Sequence, residues 1–156
     1  MPVDKTLTRR RLLTGGTTIA LGGAAIFAAS WYNIGAQAGE DGTLSTPDAH
    51  AAAVSGAVTL VDIRRPDEWA LTGVGEGAVP INMLDRYFIE QVFAQVGGDH
   101  SKPVALICAR GVRSRKMSVR LQQAGFTNII DVPEGMLGSG AGAGWIKRGL
   151  PVVAYN

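Results

Sequence analysis

The sequence predicts an α/β fold in which a mostly parallel central sheet is covered by helices on both faces. Apolar, β-branched runs of strand length alternate along the chain with segments that carry helical spacing or helix-capping residues. Such runs are typical of strands buried on both faces, and strands separated by helices pair in parallel. A chain of 156 residues is long enough for one such domain and a modest extension.

The predicted elements follow in order along residues 46–153. The helices are marked by serine at N-caps, proline in the first turn and glycine after the last turn. They are predicted at 46–54, 66–70, 84–96 and 114–124, with a short final helix from Trp145. The strands are predicted at 58–63, 78–81, 103–107 and 128–132, followed by a terminal extended piece that ends at Val153. Residues 39–45 are interpreted as a linker, so one domain is expected at 46–153.

A glycine-rich segment at 133–144 follows a predicted strand, so a nucleotide-binding loop has to be considered. Neither the dinucleotide pattern G-x-G-x-x-G nor a Gly-Lys-Ser/Thr sequence occurs in it. We therefore interpret the segment as a mobile loop at the rim of a site, without a bound cofactor.

Residues 1–38 are interpreted as an export signal. Arg9, Arg10 and Arg11 precede an uncharged segment rich in Ala, Gly and Thr, and residues 36–38 form the small–x–small pattern that a signal peptidase requires. The segment resembles a bacterial twin-arginine signal peptide, which exports folded proteins through its own export machinery. Its apolar part is short and weak for a membrane span, although an uncleaved anchor is an alternative. Either form would place the domain in the periplasm.

The charge distribution and the cysteine count exclude several classes of function. Four of the fifteen basic residues and one of the thirteen acidic residues lie in 1–38, so the remainder is near neutral and no nucleic-acid surface is predicted. A single cysteine, Cys108, excludes an internal disulfide, a Cys-x-x-Cys pair and a multi-cysteine zinc site. The two histidines, His50 and His100, add few metal ligands, so neither a metal nor another cofactor is expected.

The cysteine lies in the most informative part of the chain. It follows the apolar run at 104–107 and precedes the predicted helix at 114–124, so it should end a strand at the edge where parallel sheets carry their active sites. Backbone N–H groups of the intervening loop, the helix N-terminus and two arginines would all favour a thiolate there. The proposed loop residues are Ala109, Arg110, Gly111, Val112, Arg113 and Ser114. The alternative is a buried cysteine that acts as a small apolar side chain.

Four motifs in one order resemble the single-domain rhodaneses of the thiosulfate sulfurtransferase superfamily. The cysteine loop is similar to the family's C-x-x-G-x-R-S, and residues 61–69 to V-D-V-R-x-x-x-E-[WF]. Residues 73–81 are similar to the family's G-H-I-x-G-A-x-x-[IL]. Residues 144–152 are similar to the W-x-x-x-G-L-P-V motif at the end of the family's domain. Two positions depart from the pattern, since Arg65 stands where an acid is common and Val74 where histidine is usual.

The resemblance implies sulfur transfer through a persulfide on Cys108, from a small anionic donor such as thiosulfate to a thiol, cyanide or protein acceptor. It implies a bracing role for Arg113, through a salt bridge with Asp62 or Glu68. Arg110 is expected to contact the donor, because it stands at the tip of the loop, where few structural partners are expected. Asp62, Arg64 and Glu68 are expected to support the loop. Neither histidine is placed to serve as a base for the cysteine.

Two other functions fit parts of the same pattern. A persulfide relay or binding module for a partner protein would use the same cysteine. A cysteine-dependent phosphatase or arsenate reductase fits less well, because Cys108 to Arg113 is C-x4-R, one residue shorter than the C-x5-R loop that tyrosine phosphatases use to wrap a phosphate.

Overall fold

The computed structural model describes Gly39 and residues 41–156, so the predicted export signal lies outside the described residues. The elements are α1 (Thr46–Val54), β1 (Thr59–Asp62), α2 (Pro66–Thr72), β2 (Val74–Gly75), β3 (Ala78–Pro80), α3 (Phe88–Gln95), β4 (Val104–Ile107), α4 (Val112–Gln123), β5 (Ile129–Asp131) and β6 (Val152–Val153). Within this part of the chain, no helix combines the length and apolar character that crossing a bilayer requires.

The main sheet has four parallel strands in the order β3-β1-β4-β5. Val61 in β1 lies beside Val79 of β3 on one side and Leu106 of β4 on the other. Because every neighbouring pair is parallel, all four strands end at the same edge of the sheet. The predicted α/β fold with a mostly parallel sheet is confirmed.

Both faces of this sheet are buried, which explains why its strands are apolar throughout. On one face Val61 and Leu106 pack with Val92 of α3 and Leu121 of α4. On the other face alternate residues of the same strands, including Leu60, Ala105 and Ile107, pack with Ala49 of α1, Met136 and Trp145. Successive strand residues point to opposite faces, so helices are needed on both sides, as predicted.

A second, two-stranded sheet pairs β2 with β6 in antiparallel orientation. The sequence analysis predicted no strand at the position of β2. It also predicted a short helix from Trp145, which is wrong, because residues 145–149 form hydrogen-bonded turns. Gly149 at φ +68° ends these turns, and the chain then runs extended into β6.

Two other boundaries differ from the predicted ones, in each case because of specific hydrogen bonds. α3 begins at Phe88 rather than at residue 84, since the Asn82 and Asp85 side chains accept backbone N–H groups and hold residues 82–87 in turns. The predicted linker is partly built into the fold: Asp131 N donates to Gly42 O, and Leu44 N donates to Asp131 O, at 3.0 and 2.9 Å. This pairing covers the free edge of β5.

Candidate active site

Cys108 lies directly after β4, at the carboxyl edge of the sheet, with only 1% of its surface exposed. The backbone N–H of Gly111 donates to its Sγ at 3.1 Å. Gly111 adopts φ +77°, a left-handed conformation that glycine takes without a steric penalty, and α4 begins at the next residue. The first N–H groups of a helix have no intrahelical acceptor, so the positive end of α4 lies beside the sulfur. These features favour a thiolate or another anionic sulfur species at this position.

The Ser114 hydroxyl is a second polar group close to the sulfur. Its Oγ lies 3.6 Å from Cys108 Sγ and 3.1 Å from the carbonyl oxygen of Gly111, to which it donates. Ser114 is fully buried. The hydroxyl is therefore shielded from solvent and close enough to interact with the sulfur.

Arg113 is braced by Glu68 of α2, as the resemblance implied. Its two terminal nitrogens donate to the two carboxylate oxygens at 2.7 and 2.6 Å, and Glu68 also accepts the Arg65 backbone N–H at 3.1 Å. The hydrogen bonds that Arg113 donates to Glu68, together with the negative charge of Glu68 and the interaction with Cys108, outweigh burial and raise the pKa of Arg113. Burial acts to raise the pKa of Glu68, but its hydrogen bonds and the positive charge of Arg113 outweigh burial and lower it. A permanently charged guanidinium is thus held near the sulfur by a two-point contact.

The glycine-rich segment packs against the back of the cysteine loop. Met136 N donates to Cys108 O at 2.8 Å and Leu137 N donates to Ala109 O at 2.9 Å. Gly135 has φ +69°, and a Cβ there would lie 2.5 Å from Ala109 O, so only glycine allows this approach. Leu137 of this segment lines the cleft, in keeping with the predicted position at the rim of a site, and these hydrogen bonds join its backbone to the cysteine loop.

Glu134 anchors the same segment from inside the protein. Its carboxylate is fully buried and accepts the backbone N–H groups of Thr46 and Gly144 at 3.1 and 3.0 Å, and Arg148 Nε at 2.8 Å. Burial alone would raise the pKa of Glu134, but the hydrogen bonds lower it, Arg148 first among them. The sequence analysis missed Glu134, because its partners are far away in the chain.

Asp62 and Arg64 form a buried ion pair at 2.7 Å that does not line the site. The remaining donors of Arg64 bind Thr72 Oγ1 and Gly73 O at the end of α2. Any support that these two residues give the cysteine loop is therefore indirect: the bonds of Arg64 hold the end of α2, and Glu68 of α2 holds Arg113.

A cleft of about 430 Å³ opens above the cysteine. Three arginines and one acid give it a net positive lining, and Leu137 adds an apolar wall; the lining residues are Arg65, Glu68, Cys108, Ala109, Arg110, Val112, Arg113 and Leu137. Arg110 was expected at a loop tip with few structural partners, but its guanidinium donates to Gly138 O at 3.3 Å. Arg110 therefore links the cleft to the glycine-rich segment.

Both histidines have partners elsewhere. His50 Nε2 lies 2.8 Å from Glu76, and its ring packs edge-on against Trp145, whereas His100 stacks with Phe93 and Phe126. Among Gly39 and residues 41–156, no three His, Cys, Asp or Glu side chains group in a way that could hold a metal ion. Neither histidine lines the cleft above Cys108.

A cysteine that accepts a loop N–H at the carboxyl edge of a buried parallel sheet defines the class of this α/β domain. The chain belongs to the rhodanese-like domain family, whose model matches residues 45–139. The family predicted from the four motifs is thereby confirmed.

Named relatives agree with this assignment. The tRNA sulfurtransferases of Yersinia pestis and Yersinia pseudotuberculosis are each 37% identical over 70 residues, which is 45% of this chain. The match spans only 14% of the length of these curated relatives. The chain therefore resembles one part of these longer proteins.

Solved structures give the same fold. The polysulfide-sulfur transferase homodimer from Wolinella succinogenes has a TM-score of 0.57 and 26% identity, over 91% of this chain and 93% of its own. A Rhodopseudomonas palustris protein described as a possible tyrosine phosphatase has a TM-score of 0.53 over 97% of this chain and 100% of its own. At 24% identity, the second comparison shows the fold alone.

Proposed function

We propose that this domain is a thiosulfate sulfurtransferase-type enzyme that carries a sulfane sulfur as a persulfide on Cys108. The observation that carries the proposal is the position of the Cys108 sulfur, at the floor of an arginine-lined cleft and in contact with the Gly111 N–H. Thiosulfate or a similar anionic donor would be attracted by the arginines. The similarity to a polysulfide-sulfur transferase adds polysulfide to the donors worth testing.

The reaction would proceed in two displacement steps. The Cys108 thiolate attacks the outer sulfur of thiosulfate, the S–S bond of the donor breaks, and sulfite leaves with the bonding electrons. The product on the enzyme is a persulfide anion. Cyanide or a thiolate then attacks the terminal sulfur, forming thiocyanate or a new persulfide, and the Cys108 thiolate is regenerated. The covalent persulfide makes a separate cofactor unnecessary in this scheme.

The residues around the sulfur would stabilise the charge that moves through these steps. The Gly111 N–H and the positive end of α4 act on the sulfur directly bonded to the protein, and Arg113 adds a fixed positive charge. Such dipoles are already oriented before the reaction, so they stabilise the developing anion without reorganisation. Leu137 supplies an apolar wall on the same cleft.

Intact-mass spectrometry tests the proposal directly. The reduced protein is incubated briefly with thiosulfate or, separately, with polysulfide, and part of each sample is then treated with cyanide. We expect a gain of one sulfur atom that cyanide removes, and no gain in protein whose thiol was first blocked with iodoacetamide. A free thiol that gains no sulfur from either donor would contradict the proposal and favour a relay or oxyanion-reductase function.

Arg110→Ala is expected to raise the KM for thiosulfate by roughly three- to tenfold with a smaller change in kcat, because it removes one positive charge from the cleft. Thiocyanate formation at varied thiosulfate concentrations measures both constants. Arg120→Ala is the matched control, since it removes an equal charge from an exposed position on α4. An unchanged KM in Arg110→Ala would remove Arg110 from donor binding.

We also propose that the domain works in the periplasm, after export by the twin-arginine-type segment at 1–38. The arginine run followed by an uncharged segment supports this location. Fractionation of cells that express either the wild-type full chain or the double variant with Arg9→Lys and Arg10→Lys would test this location. Equal periplasmic amounts of both forms would contradict twin-arginine export.

A further inference from the structure

Arg65 brings a positive charge to the cleft from outside the cysteine loop. It lies between β1 and α2, whereas Arg110 belongs to the cysteine loop and Arg113 to the first turn of α4. All three side chains line the cleft above Cys108. Arg65 is also one of the two positions at which the chain departs from the rhodanese motif, since an acid is common there. The structure thus gives this departure a place in the site.

The acid in the lining, Glu68, is held by a different arginine. Its two carboxylate oxygens accept hydrogen bonds from Arg113 at 2.7 and 2.6 Å, and one of them also accepts the Arg65 backbone N–H at 3.1 Å. The Arg65 side chain approaches the same carboxylate only to 3.6 Å, from its Nε. Glu68 therefore compensates chiefly the charge of Arg113, and the charge of Arg65 adds to the net positive lining.

The ion pair that Arg65 forms with Asp67 leaves its guanidinium accessible. Nη2 donates to the Asp67 carboxylate at 2.9 Å, with 52% of the arginine side chain and 67% of the aspartate side chain exposed. Asp67 does not line the cleft. Exposed ion pairs are weak because water and salt screen them, so an anion that enters the cleft competes well with Asp67 for this guanidinium.

We propose that Arg65 is a specificity-determining residue, whose charge makes the domain favour sulfur donors with two negative charges over donors with one. The energy of an anion beside a fixed positive charge is proportional to the charge of the anion, so each arginine in the lining favours a dianion more than a monoanion. An acid at position 65 would act in the opposite direction. The inference deepens the proposed function, because it rests on an anionic donor that approaches Cys108.

Two donors that differ by one charge test this selection. Thiosulfate is a dianion, and methanethiosulfonate is a monoanion with the same kind of terminal sulfur. The Cys108 thiolate takes that sulfur from either donor, and sulfite or methanesulfinate leaves with the bonding electrons. We expect Arg65→Gln to lower kcat/KM by roughly three- to tenfold for thiosulfate, and by about the square root of that factor for methanethiosulfonate. Equal losses for the two donors, or no loss for either, would overturn the proposal.

Alkylation of Cys108 gives a second test that requires no sulfur transfer. Iodoacetate is an anion and iodoacetamide is neutral, and the same thiolate displaces iodide from both. A change in the fraction of thiolate alters both rate constants equally and cancels in their ratio. We expect the ratio of the iodoacetate to the iodoacetamide rate constant to fall by roughly two- to fivefold in Arg65→Gln, and further in Arg65→Glu. An unchanged ratio in both variants would show that Arg65 does not act on anions in the cleft.

Two further variants separate the charge of Arg65 from its other properties. Arg65→Lys keeps the charge, so its ratio should stay near that of the wild type; a fall as large as that in Arg65→Gln would overturn selection by charge. Arg120→Gln removes an equal charge from an exposed position in the last turn of α4 and should leave the ratio unchanged. An equal fall in Arg120→Gln would assign the effect to the overall charge of the protein and overturn the role of Arg65.

The fold should tolerate these substitutions. Every variant at position 65 retains the backbone N–H that Glu68 accepts, and both oxygens of Glu68 stay bonded to Arg113. The alkylation ratio also distinguishes this inference from the proposed function. If Arg65→Gln lowers the ratio but the wild-type protein takes up no sulfur from any donor, the proposed function fails and the charge selection at the cleft stands.

Discussion

Cys108→Ser is expected to abolish sulfur loading and to lower thiocyanate formation from thiosulfate and cyanide by about a thousandfold or more. A serine hydroxyl is not ionised at neutral pH and is a far weaker nucleophile than a thiolate, so no persulfide can form on it. The residual rate would be that of the uncatalysed reaction. Thiocyanate release and intact mass, measured on the same preparation, report turnover and loading separately.

The same substitution should leave the fold intact. Cys108 is buried in the core beside Met117, and the Gly111 N–H that donates to its sulfur can donate to a serine oxygen instead. We therefore expect a loss of no more than about 1 kcal/mol in the free energy of unfolding. Thermal melting provides this control. A folded Cys108→Ser protein that still takes up a sulfur atom would show that the carrier lies elsewhere.

The parts of the fold that the sequence predicted share one property: their signals are local. The sheet strands are apolar over their whole length because both faces are covered, and α1 has its Ser45 cap and early proline within four residues. The cysteine loop is equally local, since Gly111 and the start of α4 follow Cys108 within four positions. The short strands β2 and β6 carry no such signal, because each is two residues long and forms only by pairing with the other.

The site residues that the sequence did not predict depend on distant partners. Glu134 accepts the backbone N–H of Thr46, 88 residues away, and no spacing rule connects the two positions. Asp62 and Arg64 stand in a recognised motif, yet their burial beneath α2 decided which element they support.

Gly135 shows how a contact that is distant in sequence constrains the cysteine loop. A Cβ at this position would lie 2.5 Å from Ala109 O, 2.6 Å from Ala109 C and 2.7 Å from Arg110 N. All three are backbone atoms of the loop that positions the cysteine. They cannot give way as a flexible side chain could, so a methyl group here must displace either the glycine-rich segment or the loop itself.

Gly135→Ala is therefore expected to reduce both the free energy of unfolding and the rate of sulfur transfer. Gly149→Ala is the control that separates left-handed backbone strain from the clash with the cysteine loop. Gly135 and Gly149 have nearly equal φ values, +69° and +68°, but a Cβ at Gly149 meets no atom within 4 Å. Both variants carry the strain of a left-handed alanine, about 1 kcal/mol. Only Gly135→Ala adds the backbone clash, which we expect to raise its total cost to about 3 kcal/mol or more.

Denaturant unfolding measures the stability difference, and sulfur loading at a temperature where both variants are folded measures the effect on the site. Because the Gly111 N–H must stay about 3 Å from the sulfur to stabilise it, a shift of the Ala109–Arg110 backbone should slow loading in Gly135→Ala by at least tenfold. Gly149→Ala should load at the wild-type rate. Equal losses in the two variants would mean that left-handed strain, rather than the contact between Gly135 and the cysteine loop, explains why glycine is required at position 135.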